Sequence, residues 1–150
     1  MKSISAINKI QKFFFIAGAV FLFSTFGNAQ SLRSVVAAPT NFQKIETTAQ
    51  VPLCRKSLKA CGEEALLALD LAGFGGPDSI KYTTQTFVFN KGVSVYLLTI
   101  TGLEDDSVSG ERLRVAFIKT SRGYRFVQAG RQFKCRRGKN AGKWTKELCP

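Results

Sequence analysis

The chain has 150 residues, with 22 Lys plus Arg against 10 Asp plus Glu, four Cys and no His. The missing imidazole excludes Ser-His-Asp triads, Cys-His dyads and His-ligated metals, and leaves only carboxylates, Lys or Tyr for acid–base work. No cofactor motif stands out, and a length of this order suits one domain once any leader is removed.

The N-terminus reads as an export signal. Lys2, Lys9 and Lys12 form a positive region, Phe13 to Phe23 is an unbroken apolar run, and Gly27-Asn28-Ala29 offers small residues for a signal peptidase. That order defines a cleaved secretory signal over residues 1–29. The apolar run is shorter than the roughly 17–25 residues of a membrane-spanning helix, so no stable membrane span is expected after cleavage. No Cys follows the run, which argues against lipid attachment. Cleavage would leave 121 residues starting at Gln30, with 19 basic residues against 10 acidic. The expected location is the periplasm or the cell exterior.

Residues 30–51 show no sustained period and are rich in Ser, Thr, Ala and Gln. They are expected to form a flexible leader, with Val35, Val36 and Ile45 as material for a stray edge strand. Residues 52–150 then form the domain. Pro52 suits a first helical position, and Leu58, Ala65, Leu66, Leu69 and Ala72 are spaced for one apolar face. A helix over 53–72 is expected, ended by Gly73, Gly75, Gly76 and Pro77, with Phe74 plugging the core. The GFGG run follows a helix and does not open one, so it is not a phosphate loop.

Four strands should follow: Lys81–Asn90, Gly92–Thr101, Arg112–Lys119 and Tyr124–Phe133. Tight turns are expected at Asn90-Lys91-Gly92 and Ser121-Arg122-Gly123, and a bulge at Gly130. The acidic loop Gly102–Gly110 holds Glu104, Asp105 and Asp106, which are adjacent and so unsuited to converge on a calcium ion. The expected fold is α+β: one N-terminal helix packed on a four-stranded antiparallel meander, disulfide-stabilised and cystatin-like in outline. An outline of that kind carries no function.

Cys54, Cys61, Cys135 and Cys149 form an even set, and in an exported chain that implies disulfides. Neither C-x-x-C redox spacing nor paired zinc spacing is present. Local bonds Cys54–Cys61 and Cys135–Cys149 are the expected pairing. One continuous helix would hold Cys54 and Cys61 about 10 Å apart along its axis, beyond disulfide reach. A local bond therefore needs a break in the helix, expected near Gly62. Lys56 and Lys59 would then end one turn, and Glu63 and Glu64 would open the next. The competing reading is one long helix whose two Cys both cross to Cys135 and Cys149.

The densest charge is C-terminal. Arg131, Lys134, Arg136, Arg137, Lys139, Lys143 and Lys146 have only Glu147 among them, and Trp144 stands inside the segment. A basic loop closed by a disulfide around one aromatic is a candidate anion-binding surface. The plainer alternative is a solvated loop with Trp144 in the core, since one aromatic is too few for a base-stacking platform. Arg112 and Arg114 share a strand face and could extend the patch, or pair with Glu104, Asp105 and Asp106. The sequence therefore implies a small, basic, exported, non-enzymatic domain that binds an anionic polymer or other envelope component. The alternative is a protein-interaction or hydrolase-inhibitor module acting through the sheet face. Inhibition of a basic hydrolase is disfavoured by like charge.

Overall fold

Side chains along a strand alternate between faces, and the Arg112-Leu113-Arg114-Val115-Ala116-Phe117 run does so in the strand that becomes central to the sheet. The computed structural model describes residues 26–71 and 78–150. It contains helix α1 (Phe26–Ala37), a 3-10 turn (Pro39–Asn41), strand β1 (Gln43–Ile45), helix α2 (Leu58–Ala68) and strand β2 (Lys81–Val88). A second 3-10 turn (Asn90–Gly92) leads to β3 (Val93–Thr101), β4 (Val108–Thr120), β5 (Gly123–Cys135) and β6 (Trp144–Thr145). The strands form one six-stranded antiparallel sheet in the order β1-β5-β4-β3-β2, and β6 also pairs with β5.

The α+β class stands, and β2 to β5 form the expected meander. The outline of one helix on four strands is enlarged. β1 and β6 extend the sheet beside β5, and the end of α1 covers the face opposite α2. Two apolar clusters result. Leu58, Cys61, Ala65 and Leu66 of α2 pack on Tyr96, Leu98, Leu113, Val115 and Phe117. Val36, with the partly buried Leu32 and Val35 of α1, packs with Phe42 on Val95, Leu97 and Ala116.

The region expected to be a flexible leader is ordered into this second layer. Val36 and Phe42 are buried, and Gln43, Lys44 and Ile45 pair with Arg131, Gly130 and Ala129. Gly130 makes that docking possible, because a Cβ there would lie 2.9 Å from Phe42 Cβ and 3.1 Å from the Gln43 carbonyl oxygen. It is not a bulge; it pairs in register with Arg114 and Lys44. The extra residues lie elsewhere, at Ser109 in β4 and Val127 in β5.

Helix α2 starts at Leu58, not Pro52, behind an N-cap Ser57 whose hydroxyl accepts from the Ala60 N–H at 3.3 Å. Cys54 is instead held extended, exchanging backbone hydrogen bonds of 3.0 and 2.7 Å with Tyr124. The break that brings Cys54 and Cys61 to a Cα separation of 5.6 Å therefore precedes Ser57. Gly62 is inside the helix, where a Cβ would fall 2.1 Å from Tyr96 Cγ, so it sets the close approach of α2 to the sheet. Glu63 and Glu64 are consequently mid-helix and pair with Lys59 and Lys56, not with a helix N-terminus. The helix ends at Ala68, and Asp70 adopts a left-handed φ of 54°.

The signal segment up to residue 25, the stop signals Gly73, Gly75, Gly76 and Pro77, and the core plug at Phe74 lie outside the described residues. Helix α1 runs through the expected cleavage point, Ala29-Gln30. No helix among the described residues is long and apolar enough to cross a membrane.

Candidate anion-binding face

The register of the sheet builds a basic face from three cross-strand rows. One row runs Lys81, Thr101, Gly110, Lys134, Trp144; the next Thr83, Thr99, Arg112, Gln132; the third Gln85, Leu97, Arg114, Gly130, Lys44. None of the three contains a carboxylate. Leu97 of the third row packs in the α1 layer, which fixes the face.

Arg112 is the centre of this face. Its guanidinium lies over the Trp144 ring, 4.0 Å from the centroid, a cation–π contact that is strongest where water is excluded. Gly110 leaves room for the indole: a Cβ there would meet Trp144 Cη2 at 3.2 Å. Arg112 makes no ion pair among the described residues, and its Nε is buried without a partner. Burial lowers its pKa by disfavouring the charged form. Directly across the strands, Gln132 is 4% exposed; its Nε2 donates to the Asn41 carbonyl at 2.9 Å, and its Oε1 is buried without a donor.

Arg114 serves a different purpose. It is 3% exposed, its Nε donates to the Val36 carbonyl at 2.8 Å, and its guanidinium faces the Phe42 ring at 5.8 Å. A cation on the last carbonyls of a helix suits both the hydrogen bond and the dipole. Arg114 thus fastens α1 to the sheet, and burial lowers its pKa as well.

A cavity of about 790 Å³ opens beside Arg112, Gln132 and Trp144, walled by Leu32 and Val35 of α1 and by Asn41, with Lys146 and Glu147 also lining it. Lys146 Nζ donates to the Thr40 carbonyl at 3.1 Å. A second hollow of about 320 Å³ shares Thr40 and Lys146 and adds Lys44, Arg114 and Gln128.

The basic C-terminal segment is divided among several tasks. Cys135 and Cys149 are bonded with a Cα separation of 5.4 Å, closing residues 136–148 into a loop. Arg136 donates to the carbonyls of Leu103 and Asp105, and Arg137 to the Pro150 carbonyl at 2.8 Å and the Ser107 hydroxyl at 3.0 Å. These two arginines bind the acidic loop, the role that Arg112 and Arg114 were open to filling. Asp105 accepts from the Ser107 and Val108 N–H groups at 2.8 and 2.7 Å. Those two bonds, and then Arg136 and Arg137, hold its carboxyl below the usual range. Glu104 accepts instead from the Ser79 hydroxyl at 3.0 Å.

Arg131 points to the α2 side and stands 3.7 Å from Glu111, whose pKa burial raises despite that cation. Lys139 pairs with Glu147 at 3.3 Å. Lys143 is exposed and, like Lys134, has no ion pair among the described residues. Of the eight candidates, the structure gathers Lys134, Trp144 and Lys146 onto the basic face and leaves Arg131, Arg136, Arg137, Lys139 and Lys143 off it. Arg112 was open between extending the patch and pairing with the acidic loop, and Gln132, Asn41 and Lys44 were not among the candidates. The Arg-apolar alternation of β4 signalled Arg112; nothing local signalled the other three. Among the described residues no group of three or more His, Cys, Asp or Glu could hold a metal.

Comparison with protein-family models, curated proteins and solved structures finds no match for this chain.

Proposed function

We propose that the chain is an exported, non-enzymatic binding domain for an anionic envelope component, and that it makes contact through the face around Arg112 and Trp144. The carrying observation is a guanidinium 4.0 Å over an indole at a cavity wall, with no carboxylate paired to it among the described residues. A cation kept half-buried without a counterion inside the protein is best matched by an anion from outside it. Two disulfides suit an oxidising compartment, and a chain without His lacks the commonest acid–base catalyst. The cystatin-like outline expected from the sequence stays a proposal for the α2 side, where a helix packs on the sheet, and contributes nothing to the ligand.

The test is binding of the oxidised exported protein to uronate polymers, polyphosphate and anionic vesicles at low and physiological salt. At least one should bind, more weakly at higher salt because exposed charges are screened over about 8–10 Å. Arg112→Gln with Lys146→Gln should reduce affinity at least tenfold, whereas Lys143→Gln should change it little. No binding at low salt, or parent-like binding by the first pair, would sink the proposal.

A protein partner has its own supporting feature. Among the described residues β2 pairs with β3 and with no strand on its other side, where Arg33 donates to the Val88 carbonyl at 2.6 Å and the Val88 side chain is exposed. Such an edge can accept an added strand. Salt-insensitive capture, unaffected by Arg112→Gln, would favour this reading.

A further inference from the structure

We infer that the cavity beside Arg112 takes an acidic carbohydrate, a hydroxyl-bearing ring with a single carboxylate, and not a dense polyanion. The inference rests on the anion-binding reading above and names the ligand class for the same site.

Hydrogen-bond complementarity is the first reason. Gln132 Nε2 is committed to the Asn41 carbonyl, so the unpaired atom of that amide is its oxygen, which needs a donor. Arg112 Nε, on the residue paired directly opposite, needs an acceptor. A bare carboxylate or fully ionised phosphate serves only the arginine. A hydroxyl donates and accepts at once, so a ring hydroxyl beside a carboxylate meets both demands. Both protein atoms are closed off from bulk water, so the proposed contact requires the Arg112 side chain to turn toward the cavity on binding. The planar guanidinium, backed by Trp144, then offers its remaining N–H groups to the carboxylate as a fork.

Charge is the second reason. Glu147 lines the same cavity, paired with Lys139 at 3.3 Å, and both side chains are exposed. A carboxylate there repels a chain of phosphates but accepts a hydrogen bond from a hydroxyl. The wall is the third reason. Leu32, Val35 and Trp144 present apolar surface, which the C–H face of a sugar ring can cover and a polyphosphate cannot. The volume, about 790 Å³, falls in the roughly 300–1,000 Å³ range of small-ligand sites.

The experiment is calorimetric titration of the oxidised exported protein at physiological salt with three probes: trigalacturonate, its neutral counterpart trigalactose, and inorganic polyphosphate. Trigalacturonate should bind at least tenfold more tightly than trigalactose, and polyphosphate should not displace it. Arg112→Lys keeps the charge but loses the fork. It should cost trigalacturonate at least tenfold in affinity while leaving the thermal midpoint unchanged. Gln132→Leu should cost a similar factor, with its midpoint checked separately because the Asn41 bond is lost too. Equal binding of the neutral sugar, or an Arg112→Lys protein that binds trigalacturonate as the parent does, overturns the inference. Polyphosphate bound without trigalacturonate overturns it while the anion-binding reading stands. If no anionic probe binds even at low salt, both fall.

Discussion

The two faces of the sheet come from the same strands and the same two-residue period, yet they are built for different purposes. On the α2 side, Leu98, Leu113, Val115 and Phe117 meet an amphipathic helix whose approach is set by Gly62 and whose start is stapled by Cys54–Cys61. On the α1 side the same strands present Arg112, Arg114 and Gln132, covered among the described residues by the end of α1, a 3-10 turn and Phe42, and a cavity remains. Apolar burial can close completely because it asks only for shape and area. A face with buried guanidiniums must supply an acceptor for each N–H. Here the protein supplies one to Arg114 and withholds one from Arg112 Nε. The lesson is a division between a face that holds the fold and a face with an unmet polar demand.

Three substitutions sharpen or break that division. The largest effect is expected from Leu66→Ala, which empties a fully buried position under α2. It should cost about 2–5 kcal/mol, measured by denaturant unfolding. Binding by the remaining folded protein should be unchanged, and a parallel loss of affinity would show that the faces are not separable.

Arg114→Met should act through α1. It leaves the Val36 carbonyl without its donor, at a cost of about 1–3 kcal/mol for a buried unsatisfied group. Hydrogen exchange should speed up in Phe26–Ala37 and stay slow in Leu58–Ala68. Equal loosening of both helices would refute the assignment of Arg114 as the fastener of α1.

The smallest effect is expected from Asp105→Ala, at the edge shared by both faces. The folded-state pKa of Asp105 lies below its ordinary value, so its stabilising contribution is present at neutral pH and lost as pH falls through that lowered value. Parent and variant should therefore differ slightly in thermal midpoint at neutral pH and converge in strong acid. A gap that widened on acidification would contradict the sign.

Much of the sheet was legible beforehand. β2, β3 and β5 begin and end within two residues of expectation; β4 is longer at its start, because Val108–Gly110 pairs with Lys134 and Cys135 after the acidic loop. The local disulfide pairing was expected too, but reach left one long helix with crossed bonds as an alternative, and the extended backbone before Ser57 is what decides it. The site was legible only in part. Density of charge pointed to Arg136 and Arg137, which turned out to be ties for the loop at Leu103–Ser107. Trp144 was open between core and contact, and it is partly both: half-buried, packed at Gly110, and under a guanidinium at the cavity.

By itself the sequence determined what depends on near neighbours: strand period, turns, the capped amphipathic helix, and the chemistry ruled out by a chain without His. Only the tertiary structure decided what joins distant residues. Arg114 and Val36 are 78 positions apart and Gln132 and Asn41 are 91 apart. No local pattern encodes such a pairing, because the residues that dock the N-terminal segment (Val36, Phe42 and Lys44) meet partners on strands that lie far along the chain. The cavity exists for the same reason: its walls join Leu32, Val35 and Asn41 of the N-terminal segment to Arg112, Gln132 and Trp144 of the distant strands.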